Sequence, residues 1–330
     1  MKTIAFFNNK GGVGKTSLVY HLAYMFDELG FRVLTTDFDP QANLSSRFLS
    51  EDRLEVLWND QHKNTLLGMI DPILKGTGDI AKPHIESIGN IGLLVGDLGL
   101  SVFEDRLSDA WPRCLNEDEA AFRVISAFYR GIDLAARERE AEVVLIDVGP
   151  NLGAINRAAI LSAQYVVVPL APDLFSLQGL RNLGPTLRQW RQGWKDRVEK
   201  NPNPDLPLPK PGMEPIGYVV MQHTEWKGRP VKAYGRWMAR IPEVYQTAIL
   251  DQPSEETFSV DKIDSNRLNM LKNYRSLMPL SMDARKPMFS ITHADGAIGS
   301  HMNSVRGCYE DFKKLAQEIE KRTADNRTTI

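Results

Sequence analysis

The stretch 6-FFNNKGGVGKTSLVYHLA-23 constrains this chain more than any other. An apolar, strand-like run over 2–7 leads into a turn carrying Gly11, Gly12 and Gly14, and the turn leads into a helix-length segment over 15–29. Glycine allows successive backbone N–H groups to face one anion, and a helix starting near Lys15 adds its positive N-terminal dipole. The usual phosphate-loop pattern, G-x-x-x-x-G-K-[ST], needs glycine at position 9, where this chain has Asn9. The loop is therefore a variant whose physics survives. Lys15 would contact the β- and γ-phosphates of a nucleotide, and the Thr16 hydroxyl would ligate Mg²⁺. Val13 and Ser17 complete the expected nucleotide contacts. The plain alternative is a glycine-rich turn with no ligand. A second lysine, Lys10, opens the turn, and taken alone it reads as a solvated loop residue.

The rest of the chain supplies a sheet for this unit. Short apolar runs over 32–36, 91–95, 142–146, 165–170 and 216–221 lack polar alternation and are separated by helix-length stretches. That pattern suggests parallel strands covered on both faces. Helices are expected over 119–139, 177–200 and 302–322. The order predicts one doubly wound, mostly parallel α/β sheet flanked by helices, spanning 1–330. The stretch 201-NPNPDLPLPKPGMEP-215 excludes helix and central strand, so it reads as a long surface loop in preference to a domain linker.

Composition excludes several classes. A formal charge of −2 is not that of a uniformly basic nucleic-acid binder, although it allows a local basic patch. Two cysteines, Cys114 and Cys308, make no metal-type cluster and suggest a reducing compartment. No apolar run approaches a membrane span, and KTIAFF leaves no room for a signal peptide, so a cytoplasmic location is expected. The six histidines show no ligand spacing.

Three blocks together carry a family resemblance. KGGVGKT, with a lysine opening the loop, resembles the deviant Walker A motif of the ParA/MinD/Soj P-loop ATPases. The segment 37-DFDPQANLSS-46 resembles that family's D-x-D-P-Q-G-N block, with Ala42 in place of glycine. The segment 143-VVLIDVGPNLGAINRAAILSA-163 resembles its Walker B strand and following D-x-P-P switch, with Gly149 in place of the first proline. Pieces at 165–180 and 294–312 also look like the partition-type members, whereas 201–215 and 222–275 match least.

The resemblance implies an ATPase that closes face to face as a homodimer over two ATP molecules. Lys10 would reach into the partner's site and stabilise charge during phosphoryl transfer, as an arginine finger does. Asp39 would orient the attacking water and face the metal. Asp147, at the end of an apolar strand, would hold Mg²⁺ directly or through its water, with Asp37 supporting the metal shell. Asn8 would bond a phosphate oxygen. Carboxylates at strand ends also commonly cap helices, and for Asp37 that reading stands beside the functional one. No strong general base is evident, so slow, timer-like hydrolysis is expected.

Two segments are locally basic. Residues 177–200 carry six Lys/Arg, including Arg181, Arg188, Arg191 and Lys195, against two acidic residues. Residues 223–240 carry five, including Lys227, Arg229, Lys232 and Arg236, against Glu225, with aromatic residues interleaved. The resemblance implies nonspecific DNA binding through such residues on the ATP dimer, with strong salt dependence. It also implies a ParB-like or other adaptor that stimulates hydrolysis, and nucleoid association in the ATP state. A solvated helix face and a structural insertion over 222–245 are the alternative. No helix-turn-helix is read ahead of the loop, and the polar end TADNRTTI lacks a membrane-binding face. Two functions follow: an ATP-driven positioner of plasmid or chromosomal DNA, or a nucleotide switch that controls a protein assembly without DNA segregation.

Overall fold

The computed structural model describes residues 1–223, 225–226, 229–230, 232–253, 264–274 and 276–325, with the backbone alone for 222–223, 225–226, 229–230, 232–234 and 325. Eight strands form one sheet: β1 (Lys2–Phe6), β2 (Val33–Asp37), β3 (Glu86–Ile88), β4 (Ile91–Leu94), β5 (Val143–Asp147), β6 (Tyr165–Leu170), β7 (Glu214–His223) and β10 (Arg267–Lys272). Two further short strands, β8 (Glu225–Trp226) and β9 (Arg229–Pro230), pair only with each other. The order is β10-β7-β6-β1-β5-β2-β4-β3, parallel throughout except for the antiparallel edge pair β3–β4. All six strands expected from the sequence are present. Two edge strands, β3 and β10, lie outside those expectations.

Alternation along the central strands divides the core into two layers. Ile4, Phe6, Val143 and Leu145 face one layer, while Ala5, Phe7, Val144 and Ile146 face the other. The first layer is closed by α1 (Lys15–Glu28), α2 (Asn43–Phe48), α3 (Glu51–Asn59), α12 (Leu277–Ala284) and α13 (Ser300–Asp325). Against the second pack α4 (Leu66–Lys75), α5 (Phe103–Arg113), α6 (Glu119–Ile125), α7 (Ala127–Glu138), α8 (Ala154–Leu161), α9 (Leu174–Val198) and α11 (Ile241–Val244). A further helix, α10 (Lys232–Met238), precedes α11.

The helix expected over 119–139 is two helices. Their junction is Ser126, whose hydroxyl donates to the Phe122 carbonyl at 2.7 Å and accepts from Arg130 Nε at 3.0 Å. The proline-rich stretch is an irregular segment lying along α9: Trp194 Nε1 donates to the Pro209 carbonyl at 2.8 Å, and Leu206 is buried. β7 then rejoins the same sheet beside β6. No helix among the described residues is long and apolar enough to cross a membrane. Both cysteines are buried and unpaired.

Register sets up the site. Phe6 pairs with Asp147, and Asp147 pairs with Asp37, so the C-terminal ends of β1, β5 and β2 lie side by side. In open parallel sheets the crevice beyond these ends is where ligands sit.

Candidate functional site

The glycine loop leaves β1 at this crevice and enters α1. Gly12 and Gly14 have φ of 72° and 91°, a left-handed backbone that side chains resist, and Gly14 caps α1. Lys15, the first residue of α1, is buried, and its amine donates to the Asn8 carbonyl at 3.0 Å and the Lys10 carbonyl at 3.4 Å. Burial lowers the Lys15 pKa, opposed by the nearby charges of Asp147 and Asp39. Thr16 and Ser17 follow on the cleft wall. The Ser17 hydroxyl lies 3.5 Å from His21 Nδ1, and burial lowers that imidazole to about 4, so His21 is a neutral packing residue.

The three aspartates converge as the family blocks imply, in different states. Asp37 is fully buried; one oxygen accepts the Ser45 N–H and hydroxyl, both at 2.8 Å, while its other oxygen has no partner. Burial pushes Asp37 up to about 7. Asp147 is fully buried, and burial, followed by the charge of Asp37, holds it well above the usual carboxylate range against the Thr16 hydroxyl and the Lys15 charge. Asp39 is nearly buried and accepts the Gln41 N–H at 3.0 Å. At Gly149 a Cβ would come 3.3 Å from an Asp39 carboxylate oxygen. The departure at Ala42 places a non-glycine residue at φ 51°, a strained conformation at the start of α2.

Asn8 and Lys10 are committed within the chain. Asn8 is buried, donates to the Pro169 carbonyl at 2.7 Å and accepts the Lys10 N–H at 2.9 Å, so it ties the loop to β6. The Lys10 amine forms an ion pair with Asp173, and lies 5.8 Å from the ring centre of Phe175, which is 72% exposed. Asp173 also caps α9 through the Ser176 N–H at 2.8 Å. Burial alone would raise its carboxyl; the Lys10 amine and the Ser176 N–H reverse this and leave it lowered.

A cleft of about 770 Å³ runs from residues 11–17 past Asp39, Tyr20 and Arg47 to Met278, Met282 and Arg285 of α12 and its C-terminus. An adjoining pocket of about 150 Å³ lies between Gly14, Ser17 and the apolar Met221, Leu271, Met288 and Phe312. Met278 lines both. Sequence reasoning missed this second wall, because no local pattern in 277–288 marks residues folded back over a loop more than 250 positions earlier.

The structure corrects part of the basic stripe. Arg188 donates to the Ala248 carbonyl at 2.6 Å and pairs with Asp251 at 3.3 Å. Arg191 donates to the Gly212 and Met213 carbonyls. Both guanidiniums fasten neighbouring segments to α9 and are not free for phosphate. Arg181 and Lys195 are exposed on α9, and Arg236 is exposed with its guanidinium 4.2 Å from the Trp237 ring centre. The side chains of Arg229 and Lys232, and Lys227 as a whole, lie outside the described residues.

A family model described as an AAA domain matches residues 1–200, the part of the chain that carries the loop and all three aspartates. The chain belongs to the ParA/MinD-type P-loop ATPases. Among curated relatives, the chromosome-partitioning ATPase Soj of Thermus thermophilus is 28% identical over 203 residues, covering 60% of this chain and 66% of its own length. Protein DIP2308 of Corynebacterium diphtheriae shares the fold with a TM-score of 0.74 at 24% identity, over 99% of this chain and 100% of that one. A Cyanothece McdA–ATP complex superposes with a TM-score of 0.64 at 14% identity, over 97% and 96% of the two chains. These likenesses extend the ParA/MinD-type fold beyond residue 200, across the proline-rich segment and α13.

Proposed function

We propose that this ParA/MinD-type chain binds and slowly hydrolyses ATP, closes on it as a homodimer, and uses that state to bind DNA nonspecifically for positioning or segregation. The observation that carries the reading is Asp147: a fully buried carboxylate beside Thr16 and Lys15 of the phosphate-type loop, one strand from the equally buried Asp37. A protein keeps such costly groups where a cation is to be held. The residues fit magnesium: Thr16, Asp147, Asp39 and the free oxygen of Asp37 would hold it, the first two most directly. When bound, magnesium supplies positive charge that neutralises the phosphate oxygens.

The chain's own groups do the rest. The N–H groups of Gly11, Gly12, Val13, Gly14, Lys15, Thr16 and Ser17 cradle phosphate, and the Lys15 amine exchanges its two carbonyl contacts for phosphate oxygens. The apolar pocket beside Met278 seats the base. Asp39, at the mouth of the site, orients the attacking water. Lys10 leaves Asp173 to act across the dimer interface, where it counters charge developing in the partner's site. Asn8 holds the loop in place for all of this. An adaptor of ParB type would stimulate the reaction.

DNA contacts are assigned to Arg181, Lys195 and Arg236, with Arg229 and Lys232. The commitment of Arg188 and Arg191 to carbonyls thins the basic stripe, which favours keeping the second reading, a nucleotide switch acting on a protein assembly. A DNA mobility-shift assay with Asp39→Ala separates them. Retardation with Mg²⁺–ATP but not Mg²⁺–ADP supports the DNA reading; no retardation with ATP bound and the dimer formed supports the other.

A further inference from the structure

Arg47 is a cation in the cleft wall with no ion-pair partner among the described residues. It sits on α2, half-buried, and burial lowers its pKa, with Tyr20 and Asp147 opposing the shift. Its hydrogen bonding among the described residues is one contact, Nη1 to Met278 Sδ at 3.8 Å, and a thioether is a weak acceptor. Glu51 lines the same cleft but forms no ion pair with it. Beside Arg47, Tyr20 is 2% exposed and lines the cleft, with its hydroxyl next to that of Tyr24. Arg285, at φ 49° on the end of α12, completes the group, and both arginines act on the Tyr20 phenol.

A half-buried guanidinium whose one described hydrogen bond goes to a thioether is fully satisfied only when an anion enters. Met278 says where that anion lies. Its sulfur touches Arg47 at 3.8 Å and the Ser17 hydroxyl at 3.9 Å, and its side chain lines both the cleft and the apolar pocket. Arg47 therefore stands between the phosphate loop and the pocket for the base. In a nucleotide spanning the two, the group at that point is the phosphate next to the ribose. Resting on the ATPase reading above, we propose that Arg47, supported by Tyr20, binds the α-phosphate of a nucleoside di- or triphosphate and contributes equally to ATP and ADP affinity. The consequence is a chain that retains ADP after hydrolysis.

The test is Arg47→Met, which keeps the length and packing against Met278, measured by equilibrium binding of Mg²⁺–ATPγS and Mg²⁺–ADP to the full chain. A loss of about tenfold, equal for both nucleotides, is expected, and tenfold corresponds to 1.4 kcal/mol. The nucleotide-free variant should melt no lower than wild type, because an unpaired half-buried charge has been removed, while its nucleotide-induced melting shift shrinks. Arg47→Lys should recover part of the affinity. Unchanged affinity overturns the proposal, as does a loss confined to ATPγS, which would move Arg47 to the γ-phosphate. A loss seen with ADP but absent with 2′-deoxy-ADP would assign Arg47 to the ribose and also overturn it. Wild-type protein that binds neither nucleotide would overturn the ATPase reading itself, a result distinct from a selective failure of Arg47→Met.

Discussion

Asp37→Asn should make the nucleotide-free protein more stable, and by an amount that depends on pH. Asp37 is fully buried and is paired in register with the equally buried Asp147. Its native pKa is raised to about 7, first by burial, with Asp39 adding to the effect against the Ser45 bonds. An unfolded aspartate titrates near 3.9. Between those values the folded chain holds a proton that the unfolded chain has released. Stability is therefore greatest below about pH 4 and falls by about 1.4 kcal/mol per unit as pH rises toward 7, roughly 4 kcal/mol in all. Asparagine at this position keeps an acceptor for Ser45 and gains an amide that faces Asp147, and it has nothing to titrate. The stability difference between variant and wild type should thus widen by about 3 kcal/mol between about pH 5 and pH 8, or roughly 4 °C in melting temperature for a chain of this size. Thermal unfolding of both proteins, nucleotide-free, at the two pH values measures it. Parallel pH dependences for the two proteins would refute the claim that Asp37 is held protonated at the site.

Lys15→Ala should abolish detectable nucleotide binding in equilibrium titrations while the melting temperature stays close to wild type, since its amine now contacts only the carbonyls of Asn8 and Lys10. Asp39→Ala should keep ATP affinity within a few-fold and slow hydrolysis by about a hundredfold or more in a phosphate-release assay, the range for a positioned catalytic group; lost affinity would assign Asp39 to the metal instead. Asp173→Asn, which frees Lys10 from its ion pair within the chain, should lower the ATP concentration needed for dimerisation as followed by light scattering. Gly184→Ala should lower stability by about 2 kcal/mol or more in denaturant titrations, because its Cβ would lie 1.8 Å from the Ala248 carbonyl oxygen and two packed segments must separate.

Local chemistry made the central strands and the loop legible. Runs such as VVLID and YVVVPL are apolar on both faces and fit only a covered sheet, and KGGVGKT places its glycines where the left-handed backbone at Gly12 and Gly14 needs them. β10, RLNMLK, alternates polar and apolar residues at a sheet edge and carries no such run. What a charged residue pairs with was not legible at all. Arg188 and Arg191 look like their exposed neighbours in the sequence, but the carbonyls that hold them come from positions 248 and 212–213. The same holds for Lys10, whose partner Asp173 is 163 positions away, and for Arg47, whose isolation from acceptors is a property of the folded cleft.

The central claim, an ATPase that closes on ATP through Lys10, is tested most directly by the molar mass of the Asp39→Ala chain in solution, measured by light scattering with Mg²⁺–ATP and with Mg²⁺–ADP. A monomer is expected in ADP, a doubling of mass in ATP, and no doubling when Lys10→Ala is added to the same chain. A mass that is unchanged by saturating ATP, or that doubles as readily without Lys10, would contradict it.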